Sequence, residues 1–80
     1  MIYMIGTEHC PKCENALKTL QAQNCDLSED KFMKLTLPQD QLGIDIATEL
    51  GASMAPVFAK DATDGSHVQI TLEEAIQELS

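Results

Sequence analysis

Cys10-Pro11-Lys12-Cys13 is the feature that most constrains what this chain can fold into. Upstream lies Met1-Ile2-Tyr3-Met4-Ile5-Gly6, a short apolar run closed by glycine, which predicts a buried strand. Thr7-Glu8-His9 then forms a polar loop. Downstream, Cys13, Ala16, Leu17 and Leu20 recur at helical spacing, with Glu14, Lys18 and Gln21 on the other face, predicting a helix from Pro11 to Gln23. Pro11 suits the first turn of that helix, where its missing N–H costs nothing. The cysteine pair therefore sits at a strand-to-helix junction, with both sulfurs inside one turn and able to bond.

Further along, Phe32, Leu35 and Leu37 mark a strand over Lys31 to Leu37, although Met33 and Lys34 blur its alternation, and Pro38 ends it. A second helix is expected over Gln39 to Leu50, with Leu42, Ile46, Ala47 and Leu50 inward and Gly51 as its stop. Gly43 weakens that helix by about 1 kcal/mol relative to alanine. Ala55 to Ala59 reads as a strand, Lys60 to Gly65 as a turn, and His67 to Ile70 as a short returning strand. Thr71 with Glu74 three residues later forms a capping box, and Leu72, Ala75, Ile76 and Leu79 give a helical apolar stripe. The expected order is β-α-β-α-β-β-α: an α/β fold with a four-stranded mixed sheet flanked by three helices. The opening βαβ unit should pair its strands in parallel.

At 80 residues the chain fits one domain, residues 1–80. A formal charge of −8, from 13 acidic and five basic residues, opposes binding to nucleic acid and to anionic membranes. One Tyr, two Phe and no Trp provide no stacking platform for single strands. No stretch approaches the roughly 20 apolar residues of a membrane span, and the N-terminus lacks the basic and apolar regions of a signal peptide. A cytoplasmic monomer is the expectation. Three cysteines, an odd number, argue against a disulfide-stapled secreted scaffold. In a reducing compartment, a Cys-x-x-Cys pair is more often catalytic or metal-binding than structural.

Cys10 falls at the N-cap of the first helix, where unpaired N–H groups and the positive end of the helix dipole favour a thiolate. Thiolates in such motifs have pKa values of roughly 3.5–7.5, against about 8.5 for free cysteine. Lys12 adds a positive charge, and His9 adds another when protonated. Cys13, one turn inward, should be buried and protonated. Cys10 is thus the expected nucleophile towards a disulfide, and Cys13 the thiol that resolves the mixed disulfide. Structural zinc would need four ligands, and only Cys25, His9 and His67 remain, none at a matching spacing. Pro56 within Met54-Ala55-Pro56-Val57-Phe58 marks either the start or edge of a strand, or a cis proline exposing the Ala55 backbone to an extended substrate.

Taken together, these residues resemble the glutaredoxin family of the thioredoxin fold over nearly the whole chain. Glutaredoxins typically carry Cys-Pro-Tyr-Cys and Thr-Val-Pro; Lys12 replaces Tyr here, and Met54-Ala55 replaces Thr-Val. The resemblance implies a dithiol–disulfide oxidoreductase with Cys10 as nucleophile, Cys13 as resolving thiol and a cis Pro56. His9, Pro11, Lys12, Met54, Ala55 and Pro56 would line the substrate site, with no bound cofactor and no metal. Glutathione would be a co-substrate. However, the lysine that often precedes the family's motif is Thr7-Glu8-His9 here, and the family's Gly-Gly-x-Asp reads Gln69-Ile70-Thr71-Leu72-Glu73. Some glutaredoxin-like proteins are reduced by thioredoxin reductase and supply ribonucleotide reductase, a protein partner that the likeness extends to this chain.

A second reading is a small Cu(I)-binding module resembling copper chaperones, in which Cys10 and Cys13 are ligands, since soft thiolates suit Cu(I). Those domains run β-α-β-β-α-β and usually have Met two residues before the first Cys, where this chain has Glu8. Cys25 reads as a small buried hydrophobe or a regulatory thiol. His67 reads as a surface residue. Met1, Met4 and Met33 are core candidates, while Met54 should border the active site. Asp61, Asp64 and Gly65 are turn chemistry rather than a calcium loop.

Overall fold

The computed structural model describes residues 1–80. Its elements are β1 (Ile2–Thr7), α1 (Pro11–Ala22), β2 (Phe32–Leu37), α2 (Gln41–Leu50), β3 (Val57–Asp61), β4 (His67–Ile70) and α3 (Leu72–Leu79). The sheet order is β2-β1-β3-β4. β1 pairs in parallel with β2, Gly6 opposite Thr36, and antiparallel with β3, Ile5 opposite Val57. β3 and β4 form an antiparallel hairpin. This is the expected α/β architecture, a mixed four-stranded sheet with three helices.

β1 is buried from Ile2 to Gly6 because both faces of the sheet are covered. Alternation sends Ile2 and Met4 to one face, where they pack with Ala16 and Leu20 of α1, Phe58, Ile70, and Ala75 and Leu79 of α3. Tyr3 and Ile5 face the other way and pack with Leu35, Ile46 of α2, Val57 and Ala59. A continuous apolar run at positions 2–5 is what a central strand between two helical layers requires.

The helix ends are closed as their sequences direct. Asn24 (φ 57) ends α1, with Cys25 N–H donating to Leu20 C=O at 3.1 Å and Asn24 N–H to Gln21 C=O at 3.1 Å. Gly51 (φ 65) does the same for α2 through Ala52 N–H to Ala47 C=O at 3.0 Å. Thr71 and Glu74 close the capping box of α3.

Several expectations need correction. The inner face of α2 is not led by Leu42, which is 40 % exposed, but by Ile46 and the buried Gly43. A β-carbon at Gly43 would stand 3.2 Å from Leu35 Cβ and 3.3 Å from Leu37 Cδ2, so the glycine lets α2 lie close against β2. β3 starts at Val57, not Ala55, because Pro56 has no N–H for the ladder, and it runs through Lys60 and Asp61, two positions expected in the turn. Met1 is 36 % exposed rather than a core residue. His67 is no plain surface residue: its side chain is 17 % exposed, its Nδ1 lies 2.9 Å from Glu49 Oε1, and its N–H donates to Glu49 Oε2 at 2.7 Å. Its ring meets Tyr3 edge-on at 5.4 Å, and Tyr3 O–H donates to Asp61 Oδ1 at 2.9 Å.

Candidate functional site

The site is built where the central strand hands over to α1. β1 fixes the approach and runs through Thr7, expected in the loop but paired with Leu37; Glu8 and His9 turn the chain, and Pro11 opens the helix. His9 makes the turn with φ 57, in the left-handed region that non-glycine residues seldom occupy. Glu8 is held from across the site by Gln39, whose Nε2 donates to Glu8 Oε1 at 2.8 Å.

Cys10 is the N-cap residue of α1, and its sulfur accepts the Cys13 N–H at 3.2 Å. The two cysteines are joined as a disulfide, with Cα atoms 5.2 Å apart. Their surroundings differ: Cys10 is half-buried, whereas Cys13 is only 4 % exposed. A donor N–H and the helix N-terminus face the Cys10 sulfur, and both would stabilise negative charge there once the pair is reduced.

Three clefts surround the pair. The first, about 130 Å³, is lined by Cys10, Cys13, Glu8, His9, Glu14 and Lys34, with Gly6 and Thr36 at its base. A second, about 500 Å³, runs between α1 and the β4–α3 junction and brings Lys12 together with Pro56, Asn15, Thr19, Gln69 and Thr71. The third, about 130 Å³ and mostly apolar, places Met54 and Ala55 beside Thr7, Leu37, Ala47 and Ala52. Thr7 borders both the first and the third.

Of the residues singled out from the sequence, Cys10, Cys13 and His9 therefore share one cleft, Lys12 and Pro56 another, and Met54 and Ala55 the third. Pro11 is an exposed helix-opening residue that lines none of them. Met54 is 72 % exposed. The Ala55–Pro56 bond is cis, as is Leu37–Pro38. Ser53, Met54 and Ala55 lie outside every helix and strand, and their backbone groups make no hydrogen bond. No group of three or more His, Cys, Asp and Glu side chains converges on a metal position, and no helix is long and apolar enough to cross a membrane. Cys25 is half-buried at the far end of α1, its thiol 3.9 Å from Ile76 C=O.

Sequence reasoning passed over Gly6, Glu14, Lys34 and Thr36 as site residues. The blurred alternation at Lys34 was the available signal. On β2 the apolar side chain at that register would be Phe32's neighbour under α1, and a lysine there reaches the dithiol cleft instead. Compared with family models, curated proteins and solved structures, the chain matches none.

Proposed function

We propose that this protein is a glutaredoxin-like dithiol–disulfide oxidoreductase of the cytoplasm, reducing protein or small-molecule disulfides through Cys10 and Cys13. The observation that carries this reading is the asymmetry of the pair. Cys10 caps α1, with the Cys13 N–H on its sulfur and partial exposure to solvent, while Cys13 lies buried behind it. An accessible sulfur at a helix N-terminus attacks; a buried neighbour resolves. The observed element order also differs from the β-α-β-β-α-β of copper chaperones, which favours the oxidoreductase over the Cu(I) reading.

In the reduced protein, the Cys10 thiolate attacks one sulfur of the substrate disulfide and displaces the other as a thiolate. Cys13 then attacks Cys10, releases the second substrate sulfur and closes the internal disulfide. The unpaired backbone at Ser53–Ala55 gives an extended polypeptide substrate hydrogen-bonding partners in the cleft that shares Thr7 with the dithiol cleft. An external thiol or a reductase returns two electrons to the pair.

For that reductant, the surroundings support a protein reductase over glutathione. Lys12 is the one cation of the large groove. At the groove's end, the N–H groups of Thr71 and Glu74 are taken by the capping box, and Glu73 and Glu74 place two carboxylates in the first turn of α3. An anionic γ-glutamyl arm faces like charge there.

The decisive measurement is insulin-disulfide reduction by wild type, Cys10→Ser and Cys13→Ser. Cys10→Ser is expected to lose activity, whereas Cys13→Ser should accumulate a mixed disulfide. Full activity in Cys10→Ser would sink the proposal. Coupling turnover separately to glutathione with glutathione reductase, and to thioredoxin reductase, identifies the electron source. Tight stoichiometric Cu(I) binding without insulin reduction would favour the copper reading.

A further inference from the structure

Gly6 occupies the last buried position of β1, opposite Thr36 of β2 and one residue beyond the last pair with β3, Ile5 opposite Val57. It is not one of the glycines with positive φ, so the backbone conformation there does not call for glycine. What calls for it is space. A β-carbon on Gly6 would stand 2.8 Å from Cys13 Sγ and 3.2 Å from Cys13 Cβ, where optimal non-bonded carbon contacts are about 3.5–4.0 Å. The sulfur of Cys13 fills the place where a side chain at position 6 would be. At Gly43, the other glycine with close neighbours, those neighbours are aliphatic carbons. Only at Gly6 is the neighbour an atom of the dithiol.

Resting on the oxidoreductase reading above, we propose that Gly6 is a positioning residue: its bare backbone is the seat against which the Cys13 sulfur is held for the resolving step. In the mixed disulfide, Cys10 Sγ is bonded to a substrate sulfur. Cys13 gives its proton to solvent and its thiolate attacks Cys10 Sγ. The Cys13–Cys10 bond forms, the bond from Cys10 to substrate breaks, and the substrate sulfur leaves with the electron pair and takes up a proton. Over the two steps the protein pair is oxidised by two electrons and the substrate disulfide is reduced by two, one at each of its sulfurs.

This attack needs the Cys13 sulfur in line with the bond it breaks. The Cys13 backbone is fixed in the first turn of α1, so its one side-chain torsion sets where the sulfur lies, and the seat sets the torsion. The β1 backbone is held against retreat by its pairing with β2 at Gly6 itself and with β3 at Ile5, one residue earlier. With alanine at position 6, the atom that must move is therefore the nucleophile itself. Misplacement of a reacting atom by about 1 Å costs roughly a hundredfold in rate. The first step, attack by Cys10, does not use the seat.

The test uses reduced full-length protein in a Cys25→Ala background, with 5,5′-dithiobis(2-nitrobenzoate) as probe. Attack by Cys10 releases one coloured thiolate, and resolution by Cys13 releases a second. For Gly6→Ala the first phase should stay within about twofold of wild type, while the second slows roughly 10–100-fold. Equal slowing of both phases, or no change in the second, overturns the seat. Absence of a second phase in the Gly6 protein itself would overturn the oxidoreductase reading instead.

A second measurement covers the case in which Gly6→Ala folds poorly. The stability loss caused by Gly6→Ala is measured by urea unfolding under reducing conditions, with Cys13 present and with Cys13→Ala. If the sulfur is what the new methyl group meets, the loss shrinks by at least half in the Cys13→Ala chain. Folding rescued by Cys13→Ala supports the seat in the same way. An equal loss in both chains would show that glycine serves the strand and not the thiol.

Discussion

At Gly43 two effects of opposite sign meet. Glycine inside a helix is worse than alanine by about 1 kcal/mol, which alone makes Gly43→Ala stabilising. The added methyl, however, would lie 3.2 Å from Leu35 Cβ, an atom anchored directly to a strand, and 3.3 Å from Leu37 Cδ2. Overpacking of this kind costs typically about 1–3 kcal/mol. Because Leu35 Cβ cannot swing aside, the packing effect wins. Gly43→Ala should lose about 1 kcal/mol, read as a lower urea midpoint with an unchanged slope; a higher midpoint would show that α2 can lift off the sheet. The sequence makes Leu42, not Gly43, the natural core position, since helical periodicity rewards large apolar side chains. How closely a helix approaches a sheet is a tertiary property, and a pattern of residue types along one helix does not contain it. By sequence pattern Gly6 marks only the end of a strand, for the same reason.

Among the elements, α3 is the one whose local sequence matters most. It has eight residues, below the roughly 12–15 at which isolated helices become even marginal. Its stability rests on the capping box, with Glu74 N–H donating to Thr71 Oγ1 at 3.1 Å, and on burial of Ala75 and Leu79. Thr71→Ala should therefore cost about 1 kcal/mol and speed hydrogen exchange at Glu74 and Ala75 ahead of the β1 amides. Equal protection before and after the change would show that packing alone holds the helix. This element was legible in the sequence down to its cap, because capping is a local interaction between residues three apart. The start of β3 was less so: Pro-Val-Phe has strand composition throughout, and only the ladder decides that pairing begins after the proline. The link from α2 to β4 through Glu49 and His67 joins residues 18 apart in sequence, and no local pattern announces it.

For the molecule as a whole, that link helps to set the pH range of stability. Glu49 is held below the usual carboxylate range, first by its hydrogen bond to the His67 ring and then by the His67 N–H. Asp64 is lowered by the Ser66 hydroxyl and N–H, and Asp26 is lowered to about 2 by Ser28 and Lys31. A carboxylate with a depressed folded pKa contributes stability above its unfolded value, and that contribution disappears as pH falls through the folded value. Tyr3 is raised by burial and by its bond to Asp61, so its contribution is full below its unfolded value of 10.0 and is lost as pH climbs beyond it. Stability should thus fall below about pH 4.5 and fall again above about pH 10. Glu49→Ala should lower the melting temperature at pH 7, and the difference from wild type should shrink towards pH 3. A gap that stayed constant with pH would mean that Glu49 acts through packing and not through its charge.

Tyr3 has one more consequence, an optical one. It is the chain's single tyrosine, and there is no tryptophan. Near-ultraviolet absorbance and emission therefore come mainly from a ring locked between His67 and Asp61. That ring sits three residues before Gly6, roughly 10 Å from it along β1. Reduction with a phosphine should leave the tyrosine band in place, whereas unfolding should shift it. One wavelength then separates loss of the disulfide from loss of the fold.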